Sequence, residues 1–245
     1  IENTFDGGAI YIMDAGGSTY GASLNINNTT FDSNLAHDDG GAMMVQVTGS
    51  KGMITNITNC TFYNNRAYGL NGANVTGGAI QFFLNGGSSK MSNILTGCTF
   101  VGNVSGDSRS TVEQRGGAIG LSGNSSWGVV AGLINNGCLY LGNKVYNSSG
   151  ELNVASNYKD VSNSTSVAAG TRNVLNADKG STPAYTEDIV LGKNFRFSNN
   201  LSGIKAGADD EIVKTIPIKP EGIADNTYNY SAALPATDQR NFKNY

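Results

Sequence analysis

Clustered acidic side chains are the first residues in this sequence that point to chemistry. Asp38 and Asp39 are adjacent, and a second acidic run consists of Asp209, Asp210 and Glu211. Two carboxylates about 5–9.5 Å apart hydrolyse glycosidic bonds, and grouped carboxylate oxygens bind Ca²⁺. The first pair is not repeated in the equivalent later turns, and the second run lacks EF-hand spacing. We therefore predict a solvated turn at the first pair, no catalytic residues and no resident cofactor. The alternatives are a catalytic or Ca²⁺-binding role at the first pair and Ca²⁺ at the second run.

The single histidine and the three cysteines limit the chemistry further. One histidine excludes zinc sites built on two or three histidines. No Ser or Cys nucleophile motif surrounds His37, so we expect it at the surface. The sequence therefore predicts neither a metal centre nor an activated nucleophile.

Composition excludes two classes of partner. Charged residues make up only 14% of the 245 residues, the net charge is −3, and no Lys/Arg cluster offers the basic face that phosphate binding needs. No apolar run approaches the about 20 residues of a membrane span. We expect no nucleic-acid partner and no membrane span. The 33 glycines, set against 4 prolines, indicate turns in an ordered fold rather than a Pro/Gly linker.

Two short motifs alternate along the first 150 residues and define a repeat of roughly 31–40 residues. The first motif is Gly-Gly-Ala followed by an apolar residue, and its first glycine is Gly7, Gly40, Gly77 and Gly116. The second motif is aromatic-x-x-Asn, formed by Phe31 and Asn34, Phe62 and Asn65, Phe100 and Asn103, and Tyr140 and Asn143. Segments between the motifs are short and alternate apolar with polar residues, which is typical of strands.

The repeat predicts an all-β fold, namely a right-handed parallel β-helix with one coil of three short strands per repeat. Coils stacked about 4.8 Å apart would arrange equivalent residues in columns. These columns are Ile10, Met43, Ile80 and Ile119; Phe31, Phe62, Phe100 and Tyr140; and Asn34, Asn65, Asn103 and Asn143. Asn tolerates left-handed backbone and can hydrogen-bond to its copy on the next coil. The glycine pairs mark a turn that needs positive φ or has no room for a side chain.

The cysteines fit the same repeat. Cys60, Cys98 and Cys138 each stand two residues before the aromatic residue. One coil's spacing falls within the Cα window of a disulfide, but in-register side chains point the same way, which is poor disulfide geometry. We predict a column of buried free thiols, and a single bridge plus one free thiol is the alternative.

The pairing of Gly-Gly-Ala-Ile with Thr-Phe-x-x-Asn resembles the repeat of the polymorphic outer-membrane proteins of chlamydiae. It is more similar still to bacterial surface β-helix proteins with variable C-terminal anchors, in which residues 24–42 would form a near-complete unit. Two later segments add to the resemblance, Phe197–Gly203 and Pro235–Arg240, although Asn241 stands where that group's closing motif has Gly. The resemblance implies a secreted, cell-surface β-helix, commonly adhesive, without a defined ligand or active site.

These patterns divide one domain into two parts. Residues 1–150 are regular coils, and residues 151–245 are later irregular coils with a C-terminal cap, because terminal repeats must cover the core. Insertion loops at 11–22, 46–53, 69–76, 85–91, 105–115 and 123–129 would form a variable binding face. Sequons at Asn74, Asn124, Asn147 and Asn163 are possible glycosylation sites in a eukaryotic or archaeal secreted protein.

The first functional hypothesis is a non-enzymatic extracellular module, an adhesin or stalk, that binds a glycan or a surface protein. The second is a structural subunit that associates with further copies of itself into a filament or sheath, because open coil edges template pairing. The third is a polysaccharide lyase or glycoside hydrolase, for which acids and a basic residue would have to converge on one face.

Overall fold

The structure is a computed structural model that describes residues 5–14, 21–49, 52–69, 72–85, 91–123, 131–153, 160–162 and 167–168. The described residues are all-β: they form eighteen strands and contain no α-helix. The predicted all-β architecture of stacked parallel strands is thereby confirmed. No helix among these residues is long and apolar enough to span a membrane.

Each of four repeats contributes one strand to each of four sheets. Sheet 1 consists of β1 (Ile10–Asp14), β5 (Met43–Val47), β9 (Ile80–Leu84) and β13 (Ile119–Gly123). Sheet 2 consists of β2 (Ala22–Asn27), β6 (Met53–Thr58), β10 (Met91–Thr96), β14 (Gly132–Asn136) and β18 (Val167–Ala168). Sheet 3 consists of β3 (Thr30–Asp32), β7 (Thr61–Tyr63), β11 (Thr99–Val101) and β15 (Leu139–Leu141). Sheet 4 consists of β4 (Leu35–Ala36), β8 (Arg66–Ala67), β12 (Val104–Ser105), β16 (Lys144–Tyr146) and β17 (Leu152–Asn153).

Within these sheets, neighbouring strands come from successive repeats and are parallel. The exception among the described strands is β17, which runs antiparallel to β16. The register aligns equivalent residues, so that Ile10, Met43 and Ile80 lie side by side and Ile119 follows Ile80. Because the period of a strand is two residues, this register keeps the same side chains on the inner face in every repeat.

The core lies between the sheets and is built from these inner faces. On β6, Met53, Thr55 and Ile57 are buried while Ile54 and Asn56 alternate with them on the outer face. The aromatic column stacks along the core, with ring centroids 4.7 Å apart from Phe31 to Phe62, 4.8 Å from Phe62 to Phe100 and 4.7 Å from Phe100 to Tyr140. This spacing matches the distance between hydrogen-bonded strands.

The expectation of three strands per repeat is wrong, because each repeat has four. The additional corner falls between sheets 3 and 4, immediately after the aromatic strand. Ser33 and Asn64 have positive φ there, and Gly102 and Gly142 take the same conformation in the later repeats. A single left-handed residue turns the chain sharply, which separates the aromatic strand from the two- or three-residue strand of sheet 4.

The asparagine column follows this left-handed residue rather than occupying it. Asn65 donates its backbone N–H and its Nδ2 to Oδ1 of Asn103, at 3.0 and 2.9 Å, and Asn103 makes the same two bonds to Asn143. Asn34 binds Asn65 in the same way. Each of the buried asparagines also donates to the carbonyl of the preceding repeat's aromatic residue, as Asn103 does to Phe62. The column therefore satisfies the polar groups of the corner inside the protein.

The two glycines of each Gly-Gly-Ala motif are required for different reasons. The first glycine has positive φ, for example +70° at Gly40 and +72° at Gly77. The second glycine has ordinary φ but no space, because a Cβ on Gly41 would overlap the carbonyl oxygen of Gly78. Because these glycines have no side chain, the backbones of successive repeats can approach closely at this turn.

The stack continues beyond the fourth Gly-Gly-Ala motif into a segment that the sequence motifs did not mark. Ala118 and Ile119 both donate their backbone N–H to Asp160 O, and Val161 forms a parallel bridge with Ile119. Asp160 also accepts a bond from Asn143 Nδ2, 3.0 Å. Residues 160–162 therefore continue sheet 1 without a Gly-Gly-Ala motif. In the asparagine column, the carboxylate of Asp160 takes the next position after Asn143.

Candidate functional site

The connections from sheet 4 to sheet 1 (the described residues of 37–42, 68–79 and 106–118) and the turn between β16 and β17 (147–151) gather on one side of the stack. With the strand residues that border them, they form what we call the loop corner. They pack on one another across repeats. Gln114 accepts the backbone N–H of Val75 on its Oε1, 2.7 Å, and donates its own N–H to Tyr146 O, 2.8 Å. Ser105 Oγ donates to Val75 O, 2.9 Å. Loops from three repeats are thus tied to a rigid scaffold, where binding residues are commonly found.

Five side chains at this corner form what we call the Arg–Tyr cluster, namely Arg66, Tyr68, Asp107, Arg109 and Tyr146. The guanidinium carbon of Arg66 lies 5.6 Å from the ring centroids of both Tyr68 and Tyr146. The guanidinium carbon of Arg109 lies 5.0 Å from the Tyr68 centroid. These distances are within the range of cation–π attraction, so two positive charges share one aromatic ring.

A buried carboxylate fixes the second of these arginines. Asp107 Oδ2 accepts Arg109 Nε at 2.9 Å and Nη2 at 2.5 Å, and Asp107 Oδ1 accepts the Arg109 backbone N–H at 2.7 Å. The Asp107 side chain is 5% exposed whereas that of Arg109 is 46% exposed. Hydrogen bonding to Asp107 raises the pKa of the exposed Arg109 guanidinium above its ordinary value. Arg109 is therefore charged, exposed and held in one orientation.

Gly106 makes room for the other arginine. Parallel pairing aligns four residues at or directly after the ends of the strands of sheet 4, in the order His37, Tyr68, Gly106 and Tyr146. Gly106 has φ of +93°, and a Cβ there would lie 2.5 Å from Gln114 Cγ. In place of a side chain, Arg66 Nε and Nη2 donate to Gly106 O at 3.2 and 3.0 Å. The guanidinium thus occupies the gap between the two tyrosines.

The expectation that His37 lies at the surface is wrong. It is 8% exposed, and its ring lies 5.2 Å from that of Tyr68 at an interplanar angle of 39°. Packing against the longer loop of the next repeat covers it. The sequence alone did not indicate this because the covering residue is thirty-one positions away, 68 against 37.

Three carboxylates form a second cluster at the same corner. The ligand oxygens of Asp6, Asp38 and Asp39 all lie within 4.8 Å of one another. Asp6 Oδ1 accepts the Asp39 backbone N–H at 3.1 Å, and Asp39 Oδ1 accepts the Thr76 backbone N–H at 2.6 Å. The sequence analysis missed Asp6, although Asp6-Gly7-Gly8-Ala9 has the same pattern as Asp39-Gly40-Gly41-Ala42.

The acidic pair is therefore not the simple solvated turn that was expected. Asp38 is exposed, but Asp39 is partly buried. Burial, with smaller contributions from Asp38 and Asp6, raises the pKa of Asp39 to about 7, against the opposing effect of the Thr76 N–H. Burial also raises the pKa values of Asp6 and Asp38. Burial and the proximity of the three carboxyl groups therefore disfavour the fully ionised form of the cluster.

The three cysteines lie side by side, buried and free. Cys98 Sγ donates to Ile57 O at 3.3 Å, and Cys60 Sγ donates to Thr58 O at 3.2 Å. Contact with Cys98 and burial raise the pKa of Cys60, and burial raises that of Cys98. Since the thiolate is the reactive form, the raised pKa values disfavour reaction at Cys60 and Cys98, and all three thiols pack in the core.

The structure describes only some of the remaining residues that the sequence singled out. Asn74 is exposed, and Asn147 is partly exposed and accepts the backbone N–H groups of Ser149 and Glu151 on its Oδ1. Asn124, Asn163, the Asp209–Glu211 run and the segments 197–203 and 235–240 lie outside the described residues, as does most of 151–245. Of the expected insertion loops, residues 11–14 and 46–47 belong instead to strands β1 and β5. Single end residues of the expected loops, namely 22, 53, 91, 105 and 123, also belong to strands.

Comparisons of this chain with known proteins gave no match. No protein-family model, curated protein or solved structure matches it.

Proposed function

We propose that this chain is a non-enzymatic extracellular binding module of a cell surface. In this proposal the stacked sheets are a right-handed parallel β-helix with one coil per repeat, and the loop corner is its binding face. The observation that carries the proposal is the Arg–Tyr cluster, in which side chains from three successive repeats are held together at the loop corner. Arg109 is exposed there, and Arg66, Tyr68 and Tyr146 are partly exposed. The extracellular location rests on the resemblance of the repeat to bacterial surface β-helix proteins.

The residues of the loop corner favour recognition over catalysis. Tyrosine and arginine are enriched at binding hot spots because they combine a large contact area with directional hydrogen bonds. The acidic residues are occupied differently, since Asp6 and Asp39 each accept a backbone N–H of the next repeat. That is a turn-stabilising role, and it supports a scaffold rather than a pair of catalytic carboxylates.

A solid-phase binding screen tests this proposal on the full chain. Purified protein is applied to immobilised polysaccharides, mucins and matrix proteins, and the same wells are assayed for new reducing or unsaturated sugar ends. We expect saturable binding without product. New sugar ends would overturn the proposal in favour of a carbohydrate-active enzyme.

Two variants locate the binding face in the same screen. Tyr68→Ala removes the ring that both arginines contact, and we expect it to weaken binding at least tenfold. Ile54→Ala is the matched control, because Ile54 is 51% exposed on the outer face of sheet 2, and we expect no change. Unchanged binding in Tyr68→Ala would place the binding site elsewhere.

End-to-end association is the second candidate function, and one observation favours it. The first strand of every sheet, β1 to β4, is an edge of the described stack. Ile10 and Ile12 are only partly buried there, whereas their equivalents Met43 and Val45 are fully buried. Unpaired strand edges beside exposed apolar side chains are sites of association between chains.

Sedimentation over a hundredfold range of concentration tests this second candidate. Association through the edge would raise the sedimentation coefficient with concentration, and Ile12→Lys would abolish that rise. A monomer at every concentration would exclude it.

A further inference from the structure

We propose that the Arg–Tyr cluster binds an anionic sugar, a glycan bearing carboxylate or sulfate groups, with Arg66 and Arg109 as the anion contacts. This inference rests on the proposed function as a binding module, because it names the ligand class of the same face.

Charge selects an anion. Two guanidinium groups lie within 5.6 Å of the centre of the Tyr68 ring, and Asp107 is bound to one of them, that of Arg109, while Arg66 donates to the carbonyl of Gly106. A third positive residue, Lys144, stands in the same column of sheet 4 as Arg66, two repeats along. This concentration of positive charge is local, because the chain as a whole carries a net charge of −3.

Both arginines keep donors for a ligand. A guanidinium group carries five N–H donors in a fixed fork. Arg66 directs its Nε and Nη2 to Gly106 O, and Arg109 directs its Nε and Nη2 to Asp107. The opposite edge of each fork, at Nη1, is then oriented by the protein. Charge-assisted bonds from such a fork suit carboxylate and sulfate oxygens.

The arginines are held in place before any ligand arrives. Arg109 is fixed by the buried Asp107, and Arg66 is held between two rings over a glycine that has no side chain. Side chains that are ordered in the free protein lose little conformational entropy on binding. A solvated surface arginine lacks this advantage, which distinguishes the cluster from scattered charges.

The tyrosines favour a sugar over an acidic peptide. Tyr68 and Tyr146 lie two strand spacings apart in one column, about 9–10 Å, a length that a short oligosaccharide spans. Both side chains are partly exposed, and each joins an apolar ring to a polar hydroxyl group, which complements the mixed apolar and hydroxyl surface of a sugar ring. The linear arrangement along the stack also suits an extended polymer with a charge on successive units.

Calorimetric titration of the full chain tests the inference with matched ligands. The probes are a hexauronate, its methyl ester, which has the same sugars without charge, a sulfated hexasaccharide, and a hexaglutamate peptide. We expect the hexauronate or the sulfated sugar to bind at least tenfold more tightly than the methyl ester and the peptide. The affinities of the hexauronate and the sulfated hexasaccharide, compared with each other, show whether the site prefers carboxylate or sulfate groups.

Variants assign the contacts. Arg66→Gln and Arg109→Gln should each weaken binding of the preferred sugar about tenfold, in line with the loss of a hydrogen bond to a charged group. Arg109→Lys keeps the charge but loses the fork, and we expect a smaller loss. Asn56→Ala, on the outer face of sheet 2, should change nothing. Thermal unfolding of each variant separates loss of binding from loss of fold. If Arg109→Gln unfolds, binding by Arg109→Lys tests the contribution of the Arg109 side chain instead.

The outcomes separate this inference from the proposed function. Equal binding of the hexauronate and its ester, or unchanged binding in both glutamine variants, overturns the anionic-sugar site. Neutral glycans or proteins captured in the solid-phase screen would then still support the binding module. Preference for the hexaglutamate peptide would overturn the sugar and assign an acidic protein partner. If neither the solid-phase screen nor the calorimetric titration detects binding, both the anionic-sugar site and the proposed binding module are contradicted.

Discussion

The Tyr140 hydroxyl donates a 3.0 Å hydrogen bond to Asn135 Oδ1 inside the core. Both side chains are fully buried. At the equivalent positions the preceding repeat has Phe100 and Leu95, two apolar residues. The fourth repeat therefore differs from the third at two neighbouring core positions, and each polar side chain is the partner of the other.

Removing one member of this pair should cost more than removing both. We expect Tyr140→Phe to destabilise the protein by about 1–2 kcal/mol, because Asn135 loses a buried partner. The double variant Tyr140→Phe with Asn135→Leu restores the apolar pair of the third repeat, and it should recover most of this loss. Urea unfolding of both single variants and the double variant gives the coupling energy. Strictly additive effects would show that the pair does not act as a unit.

Interrupting the asparagine column should have a larger effect in its middle than at its first member. Asn103→Ala removes the partner of Asn65 N–H and Nδ2 and takes the Nδ2 donor from Phe62 O and Asn143 Oδ1, which leaves Asn143 Oδ1 with the backbone N–H of residue 103 alone. We expect about 3–5 kcal/mol of destabilisation. Asn34→Ala is the control, since Asn34 supplies only one side-chain bond to the column, and we expect about 1 kcal/mol or less. If Asn103→Ala and Asn34→Ala lower the free energy of unfolding by similar amounts in chemical denaturation, the column is not continuous.

A methyl group at the second glycine of the turn should not be tolerated. Gly41→Ala places a Cβ against backbone atoms of Gly78 and Arg66, which cannot move without separating the repeats. We expect a loss of more than about 3 kcal/mol, seen as a lowered thermal midpoint or as failure to fold. Gly102→Asn is the control, because nothing lies within 4 Å of its Cβ position and Asn64 already has the same conformation. Its stability should change by less than about 1 kcal/mol.

The acidic cluster predicts that stability falls as the pH rises. Burial raises the folded-state pKa of Asp39 to about 7, so the folded protein holds a proton that the unfolded chain releases near its ordinary lower pKa. The stabilisation is complete below that lower pKa and is lost as the pH rises to about 7. Because Asp39 is partly exposed, we expect a loss of about 1–2 kcal/mol rather than the full value.

Asp39→Asn measures this effect directly. Asparagine keeps an oxygen for the Thr76 N–H but carries no charge. Urea unfolding between pH 4 and pH 8 should show the variant gaining stability relative to the original protein as the pH rises, with no further gain above pH 7. A difference that does not vary with pH would mean that Asp39 is charged throughout.

Sequence periodicity is sufficient to infer the architecture because the same pattern is repeated with its spacing almost intact. The glycine pairs and the aromatic-x-x-Asn motif mark one turn and one strand per repeat, and parallel pairing then brings equivalent residues together. Phe62 and Asn65 could be assigned to columns on this basis alone. The fourth strand could not, since two residues such as Arg66 and Ala67 carry no periodicity of their own.

The candidate site was less accessible to sequence reasoning. Arg66, Tyr68 and Arg109 belong to loops and short strands of different repeats, and no spacing rule links them. Their proximity depends on how loops of unequal length pack, and here Gln114 and the glycine at position 106 decide it. The burial of His37 has the same origin. Asp6 is different, because the recurring Asp-Gly-Gly-Ala pattern already connected it with Asp39.

The asparagine column has a direction, and that direction bears on the order in which the chain acquires structure. Each amide of the column uses its oxygen to receive the preceding asparagine and its nitrogen to reach back to the preceding aromatic carbonyl. A repeat that folds after its predecessor thus brings the acceptor that completes the predecessor's corner. Growth by whole repeats from one end leaves at most one corner incomplete at any moment, so a chain emerging gradually from a ribosome or a translocation pore would order itself as it emerges.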